Sequence, residues 1–523
     1  MSRPSQPSRV LIAGAGVAGI EALLALTELA GDLVEPTLLA PTDRFVYRPL
    51  LVAEPFGIGT ATSVDLKPLL AETGTDHLQD SLASVEPHDR VVTTGSGAKL
   101  SYDGLLIAAG ARPVVSVPGA LSFGDEDERA RFGALLGELG HRGVKRLAFV
   151  VPAAATWSIA AYELALLTAH ECHLRRLSGV ELFIVTHEAA PLELLGAPAT
   201  QLVTARLEEA GITMRVASSA ESFEDGELRF ADGEPLAVDR VVALPALAVP
   251  ELPGLPQQEH GFVVTDVQMH VSGLESVWAA GDVTSFPIKQ GGLAAQQADV
   301  AARSIAAHAG VHVPLQAFQP VLRAALITGE APEYMRSAIA RGAASEAAVG
   351  RALWWPPLKL AGRYLAPYLA RATAGEEAAD ELVDLAPPDE PLADEAEHDE
   401  AEALLLAAAD ADAEHGDFRG ALRWLALVEQ LNLVLPQTYV TRRFHWMHEL
   451  DPSLDFDAAA GRIEPTLIDA ATAISDLQRR LGWLREVETS TEAQMRADLS
   501  HLDRGIEQLI ALSKRTGNYG DSR

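Results

Sequence analysis

The chain has 523 residues, 48% of them apolar, which excludes wholesale disorder and leaves room for three or four domains of roughly 100–200 residues. Its 41 Lys and Arg stand against 73 Asp and Glu, a net charge of −32, which argues against nucleic acid or anionic lipid as a partner of the whole surface. A single cysteine, Cys172, excludes an internal disulfide, a cysteine-based zinc site and a CxxC redox pair, and no other metal site is read.

The N-terminus shows no small-residue cleavage site after an apolar core, so it is not read as a signal peptide. No charge-free stretch reaches the ~18–20 apolar residues of a spanning helix. The expectation is a cytoplasmic protein, at most peripheral on the cytoplasmic membrane face. From Arg9 to about Leu255, short apolar runs alternate with amphipathic stretches, the pattern of an α/β protein with a largely parallel sheet. Buried strands are predicted at Val10–Ala13, Pro36–Leu39, Leu105–Ala108, Leu147–Val151, Leu182–Val185, Arg240–Leu244 and Val277–Ala280. Helices are predicted at Ile20–Ala30, Ala160–Ala169, Thr200–Ala210 and Leu293–Ala309.

Val10–Gly19 (VLIAGAGVAG) is a strand, a glycine turn and a helix start in that order. Gly14 permits the tight turn, Gly16 lets backbone approach a pyrophosphate, and Gly19 lets helix and strand pack closely. Ala15, Val17 and Ala18 complete the turn. The helix then offers free N–H groups and its positive dipole end to phosphates. This fingerprint alone does not choose between NAD and FAD.

Two later segments choose. Tyr102–Pro113 (YDGLLIAAGARP), with Gly110 and Arg112, resembles the strand-to-glycine segment of two-dinucleotide-domain flavoproteins. Val277–Val283 (VWAAGDV), with Gly281 and Asp282, resembles their second flavin motif, whose aspartate receives hydrogen bonds from the ribityl chain. In this order and spacing the three pieces resemble the pyridine nucleotide–disulfide oxidoreductase superfamily, nearest its type II NADH:quinone and sulfide:quinone oxidoreductase branch. The resemblance implies FAD, a small-molecule electron donor and acceptor, and a quinone-like acceptor class. The fold class implied is α/β, with two Rossmann-like dinucleotide-binding domains, a small third domain and an all-α C-terminal extension. The FAD-binding domain is expected at 1–118 and 255–310, and an NAD(P)-binding-like domain at 119–254. A small β-rich domain is expected at 311–371.

Phe286–Asp299 resembles the loop and Gln-bearing helix beside the flavin in type II dehydrogenases. That makes Lys289, Gln296 and Gln297 candidate catalytic residues. Lys289, one of six lysines, is either a cation beside the flavin or a surface lysine; the glutamines either border a quinone or face solvent. Arg48, in the segment Tyr47–Leu51, resembles a residue running toward the flavin.

Three departures matter. Ala40 stands where an acid normally binds the adenosine ribose, and Asp43 is the nearest substitute. Pro152–Ser158 replaces the second glycine loop, and Thr186 occupies the ribose-acid position, with Glu188 nearby. Either NAD(P)H binds there in an unusual way or the domain no longer binds it. Cys172 alone cannot pass sulfur to a second thiol, so chemistry is expected to proceed without redox cysteines.

Residues 353–371 are aromatic and basic. Lys359 and Arg363 are spaced as one helix face, beside Leu358, Tyr364, Leu365, Tyr368 and Leu369. The segment reads as peripheral membrane contact, or as a helix that closes the substrate pocket or packs on another subunit. An acidic linker is expected at 372–399. Residues 400–523 are expected to form a helical module that binds a second copy or a partner protein. The alternative to an enzyme is a degenerate flavoprotein acting as a redox-sensing or scaffold subunit through that tail.

Overall fold

The computed structural model describes residues 7–58, 63–124, 126–140, 144–329, 332–338, 345–349, 353–354 and 358–374. The chain divides into two compact units, Met1–Ala347 with Leu358–Ala379, and Ala348–Pro357 with Asp380–Arg523. The helical module at 400–523 and the linker beyond residue 374 lie outside the described residues.

The first unit holds two parallel five-stranded sheets. One runs in the order Val277–Ala279, Gly104–Ile107, Ser8–Ala13, Val34–Leu39, Asp76–Leu78. The other runs Leu121–Ser122, Arg240–Ala243, Arg146–Val151, Glu181–Thr186, Thr213–Arg215. Both are Rossmann-like cores, and every strand predicted above is present, shifted by a residue or two at its ends. Each central strand is buried on both faces, which is why it reads as an unbroken apolar run.

The helix Val17–Ala30 is built from strong helix formers and stops at Gly31, whose N–H returns to the Thr27 carbonyl from a positive φ. It lies against the helix Gly291–His308, with Ile20, Leu23, Leu26, Leu106, Trp278 and Ile305 buried around it. At ~1.5–3 kcal/mol per buried large side chain, this cluster is a main source of stability for the first sheet. Gln290 caps the second of these helices, its side chain accepting from the Leu293 N–H. One of the smaller sheets is formed by Val321–Leu326, Glu333–Ala338 and Ser345–Val349. A last helix, Leu365–Ala374, runs into the segment read as linker. No helix among the described residues is long and apolar enough to cross a membrane.

Candidate functional site

Strand Ser8–Ala13 ends at Gly14, whose φ is +127°. A Cβ on Gly14 would lie 2.1 Å from the Ala108 carbonyl oxygen, and one on Gly19 would lie 1.8 Å from the Gly14 carbonyl oxygen. These two glycines therefore serve the fit of strand, turn and helix. Gly16 differs. It is exposed at the helix start, and a Cβ there meets nothing within 4 Å. Open space thus lies in front of the first-turn N–H groups, flanked by Ala15 and Val17, while Ala18 is buried behind them.

Gly281 brings the second motif to this turn. Its φ is +83°, and a Cβ would sit 3.1 Å from the Ala18 methyl group. The Gly281 N–H donates to Gln297 Oε1 at 2.7 Å. The Asp282 carboxylate makes no hydrogen bond among the described residues. It keeps a little solvent access, yet desolvation pushes its pKa upward, against the opposing pull of Lys289 and Arg48. An acceptor without a donor, beside an open phosphate cradle, fits the ribityl and pyrophosphate groups of FAD.

Lys289 is buried. Its ammonium donates to the carbonyls of Thr284 and, at 2.6 Å, Phe286, and lies 4.1 Å from the Phe262 ring centroid. Burial pushes its pKa down to about 8, with Asp282 opposing. Arg48 is exposed and begins a short turn, Arg48–Leu50; its charge acts on Asp282. The structure thus brings Asp282, Lys289 and Arg48 into one electrostatic group.

The two glutamines hold backbone. Gln297 fixes Gly281, as above. Gln296 donates to the carbonyls of Gly292 and Val321 and accepts from the Val321 N–H, with distances of 2.9–3.1 Å. Neither amide faces solvent in the manner of a simple surface helix former. At the adenosine end, Ala40 is buried, and the Asp43 carboxylate lies 3.9 Å from the Lys67 ammonium at the surface. Gly110 has φ +70°, and Arg112 is exposed in a ribbon pairing Arg112–Val114 with Ala246–Ala248.

The segment 358–374 is placed differently from its sequence reading. Lys359 and Arg363 precede the helix, so they share no helical face. Lys359 is partly buried: its ammonium donates to Glu163 Oε2 at 2.5 Å and to the Pro49 carbonyl at 3.1 Å. Glu163, on the helix Ile159–Leu174, is fully buried, and its other oxygen accepts from the Ile327 N–H. Leu360 donates its N–H to Tyr47 Oη at 2.9 Å. Leu360, Leu365, Tyr368 and Leu369 are buried in the core around the first sheet, with Leu358 and Tyr364 packed against it. Those four apolar side chains are therefore covered by the protein and not free to meet a membrane, while residues 355–357 of the segment lie outside the described residues.

In the second sheet, Pro152 follows the strand Arg146–Val151, and the helix begins at Ile159. Glu188, two residues past the strand Glu181–Thr186, is buried. It accepts from Ser158 Oγ at 2.8 Å, Tyr162 Oη at 2.6 Å and Thr186 Oγ1 at 2.9 Å.

Residues 8–304 match the family described as pyridine nucleotide-disulphide oxidoreductase. The chain belongs to this family. An NADH dehydrogenase-like protein of Mycobacterium tuberculosis is 25% identical over 295 residues, covering 53% of this chain and 73% of the relative. A sulfide-quinone reductase of Aquifex aeolicus is 33% identical over 112 residues, 21% of this chain and 26% of the relative. The solved sulfide:quinone oxidoreductase of Aquifex aeolicus has a TM-score of 0.60 and 20% identity, covering 65% of this chain and 87% of that one. That likeness shows the fold.

Within this oxidoreductase family the chain carries buried carboxylates that its sequence pattern did not single out for chemistry. Glu163 finds Lys359 at a separation of 196 residues, and nothing local in the sequence marks the pair. Glu21, on the first helix, is fully buried and accepts from the N–H groups of Tyr364 (2.9 Å) and Leu365 (2.7 Å), capping the last helix. Burial pushes its pKa up to about 7, against the backbone donors of Tyr364, Leu365 and Arg363 and with Asp299 adding to the rise. A carboxyl raised above its unfolded value favours the fold fully below about pH 4.5, and that contribution is lost as pH climbs through about 7. At ~1.4 kcal/mol per pH unit the span amounts to about 3 kcal/mol. Glu21→Gln is expected to flatten this part of the stability curve. Denaturant midpoints of the two proteins should therefore diverge between pH 5 and pH 8, with wild type losing ground; parallel curves would refute the assignment.

Proposed function

We propose that this oxidoreductase passes electrons from bound FAD to a quinone-class acceptor without a redox cysteine. The observation that carries the reading is the unbonded Asp282 carboxylate, set beside the open Gly16 turn and facing the charges of Lys289 and Arg48. When bound, the flavin supplies the two-electron chemistry. The chain's own residues bind and orient it: Gly16 leaves room for pyrophosphate, Asp282 accepts from ribityl hydroxyls, and Gln297 holds the Gly281–Asp282 turn in place. Lys289, braced on two carbonyls, keeps a positive charge close to Asp282. The likeness to a sulfide-quinone reductase supports the acceptor class, and that likeness together with the one to an NADH dehydrogenase-like protein supports an enzyme over a scaffold subunit.

A thiol relay is disfavoured by Cys172 itself. It is the only cysteine, it is buried, and burial pushes its pKa up, away from the reactive thiolate. The test is anaerobic: photoreduce the yellow protein, add a water-soluble quinone, and follow the return of flavin absorbance. Reoxidation at the same rate in wild type and Cys172→Ser is the expected result. A colourless protein that gains no band with FAD defeats the proposal, as does a Cys172→Ser protein that keeps its flavin but no longer reoxidises.

A further inference from the structure

We propose that Glu188, with Ser158 and Tyr162, closes the second dinucleotide site of this chain to NAD(P)H. The inference builds on the flavoprotein reading and sets its specificity on the donor side. In a Rossmann unit the pyrophosphate lies at the N-terminus of the first helix, and an acid after the second strand takes the ribose hydroxyls. Here those places belong to the start of Ile159–Leu174 and to Glu188, beyond Glu181–Thr186.

Three of the about four acceptor sites of the Glu188 carboxylate are taken by hydroxyls of the chain itself. One carboxylate oxygen takes the Ser158 hydroxyl, and the other takes those of Tyr162 and Thr186. The Glu188 N–H is also used, donating to Thr186 Oγ1 at 3.1 Å. Three hydroxyls of the chain thus stand where the hydroxyls of a ribose would be. A hydrogen bond to a charged group contributes ~1.5–3 kcal/mol, so a nucleotide would have to displace contacts as good as those it brings.

Position strengthens the argument. Ser158 is the residue before the helix and Tyr162 lies one turn into it. The Ser158 bond therefore ties the Glu188 carboxylate to the residue just before the helix's first turn, the end that favours an anion. A pyrophosphate approaching that turn would meet negative charge already there. The loop leading in, Pro152–Trp157 (PAAATW), has no glycine, so each residue puts a Cβ or a ring where close backbone approach is needed. Ser158, Tyr162, Thr186 and Glu188 are all buried, which makes the cluster a fixed part of the fold.

The test titrates flavin-loaded protein with NADH, NADPH and ADP-ribose by calorimetry, a readout that does not depend on flavin reduction. Wild type is expected to give no saturable heat below about millimolar ligand, a range in which binding free energy is only ~4 kcal/mol. Ser158→Gly combined with Tyr162→Phe frees the carboxylate and removes one Cβ; ADP-ribose is expected to bind at least tenfold tighter. If that pair loses its far-ultraviolet dichroism, Glu188→Gln, which keeps size and removes charge, is read in the same way. Saturable micromolar binding by wild type overturns the proposal. A folded variant that binds no better than wild type overturns the assignment to this cluster. Quinone reoxidation of photoreduced wild type is measured alongside: its failure counts against the flavoprotein reading and is separate from both binding outcomes.

Discussion

Gly16→Val is expected to leave the fold intact and to empty the protein of flavin. Gly16 has φ −82° and ψ −171°, backbone that valine adopts freely, and a Cβ at this position touches no protein atom within 4 Å. The added side chain would stand in the space before the helix N-terminus, where pyrophosphate must come close to backbone. Asp282→Ala approaches the same site from its other end, removing an acceptor that has no other hydrogen-bond partner among the described residues. At ~1.5–3 kcal/mol for hydrogen bonds to a charged group, its loss should weaken FAD binding by roughly tenfold to over a hundredfold. The measurements are the ratio of flavin to protein absorbance after purification and the dichroism of the apoprotein. Gly14 and Gly19 serve as contrasts, because any side chain there collides with backbone and should cost the fold as well. A Gly16→Val protein that stays fully yellow would mean that the cofactor does not use this turn.

Lys359→Met is expected to destabilise the protein by about 3–5 kcal/mol, because it strands a buried carboxylate. Glu163 is fully buried, and without Lys359 its remaining hydrogen-bond partner among the described residues is the Ile327 N–H. Desolvation already pushes the Glu163 pKa upward, with Lys359 pulling the other way, so the single variant should take up a proton on folding. Adding Glu163→Gln removes the stranded charge and should recover most of the loss, giving a large coupling in the double-mutant cycle. Chemical unfolding of the four proteins at one pH measures it. Additive effects would show that Lys359 contributes packing alone.

The sequence was legible where structure is local. Leu105–Ala108 and Leu147–Val151 are apolar throughout because helices or loops cover both faces of their sheets, and that leaves a mark within a few residues. Gly14 and Gly19 were legible for the same reason, since their constraint comes from the turn they build. Lys359 was not. Its neighbours in sequence suggest an amphipathic helix, but its partner is Glu163, and chain geometry alone brings the two together. Gln296 and Gln297 illustrate a different limit. Their position beside the second motif was readable, whereas the commitment of their amides to Val321 and Gly281 depends on which backbone happens to lie opposite. Glu188 was visible as an acid near a strand end; that three hydroxyls converge on it could not be seen from spacing.

The cap that Glu21 places on the last helix also sets an order of assembly. Glu21 is made early and its acceptors' partners, Tyr364 and Leu365, are made 343 and 344 residues later. At the ~5–20 residues per second of synthesis, roughly 17–70 s separate the carboxylate from the N–H groups it serves. Throughout that interval the first helix must either keep Glu21 in water or hold it protonated. The glycine turn at its head is thus complete long before the helix can settle, and on the ribosome the nascent chain would meet its dinucleotide with this flank still open.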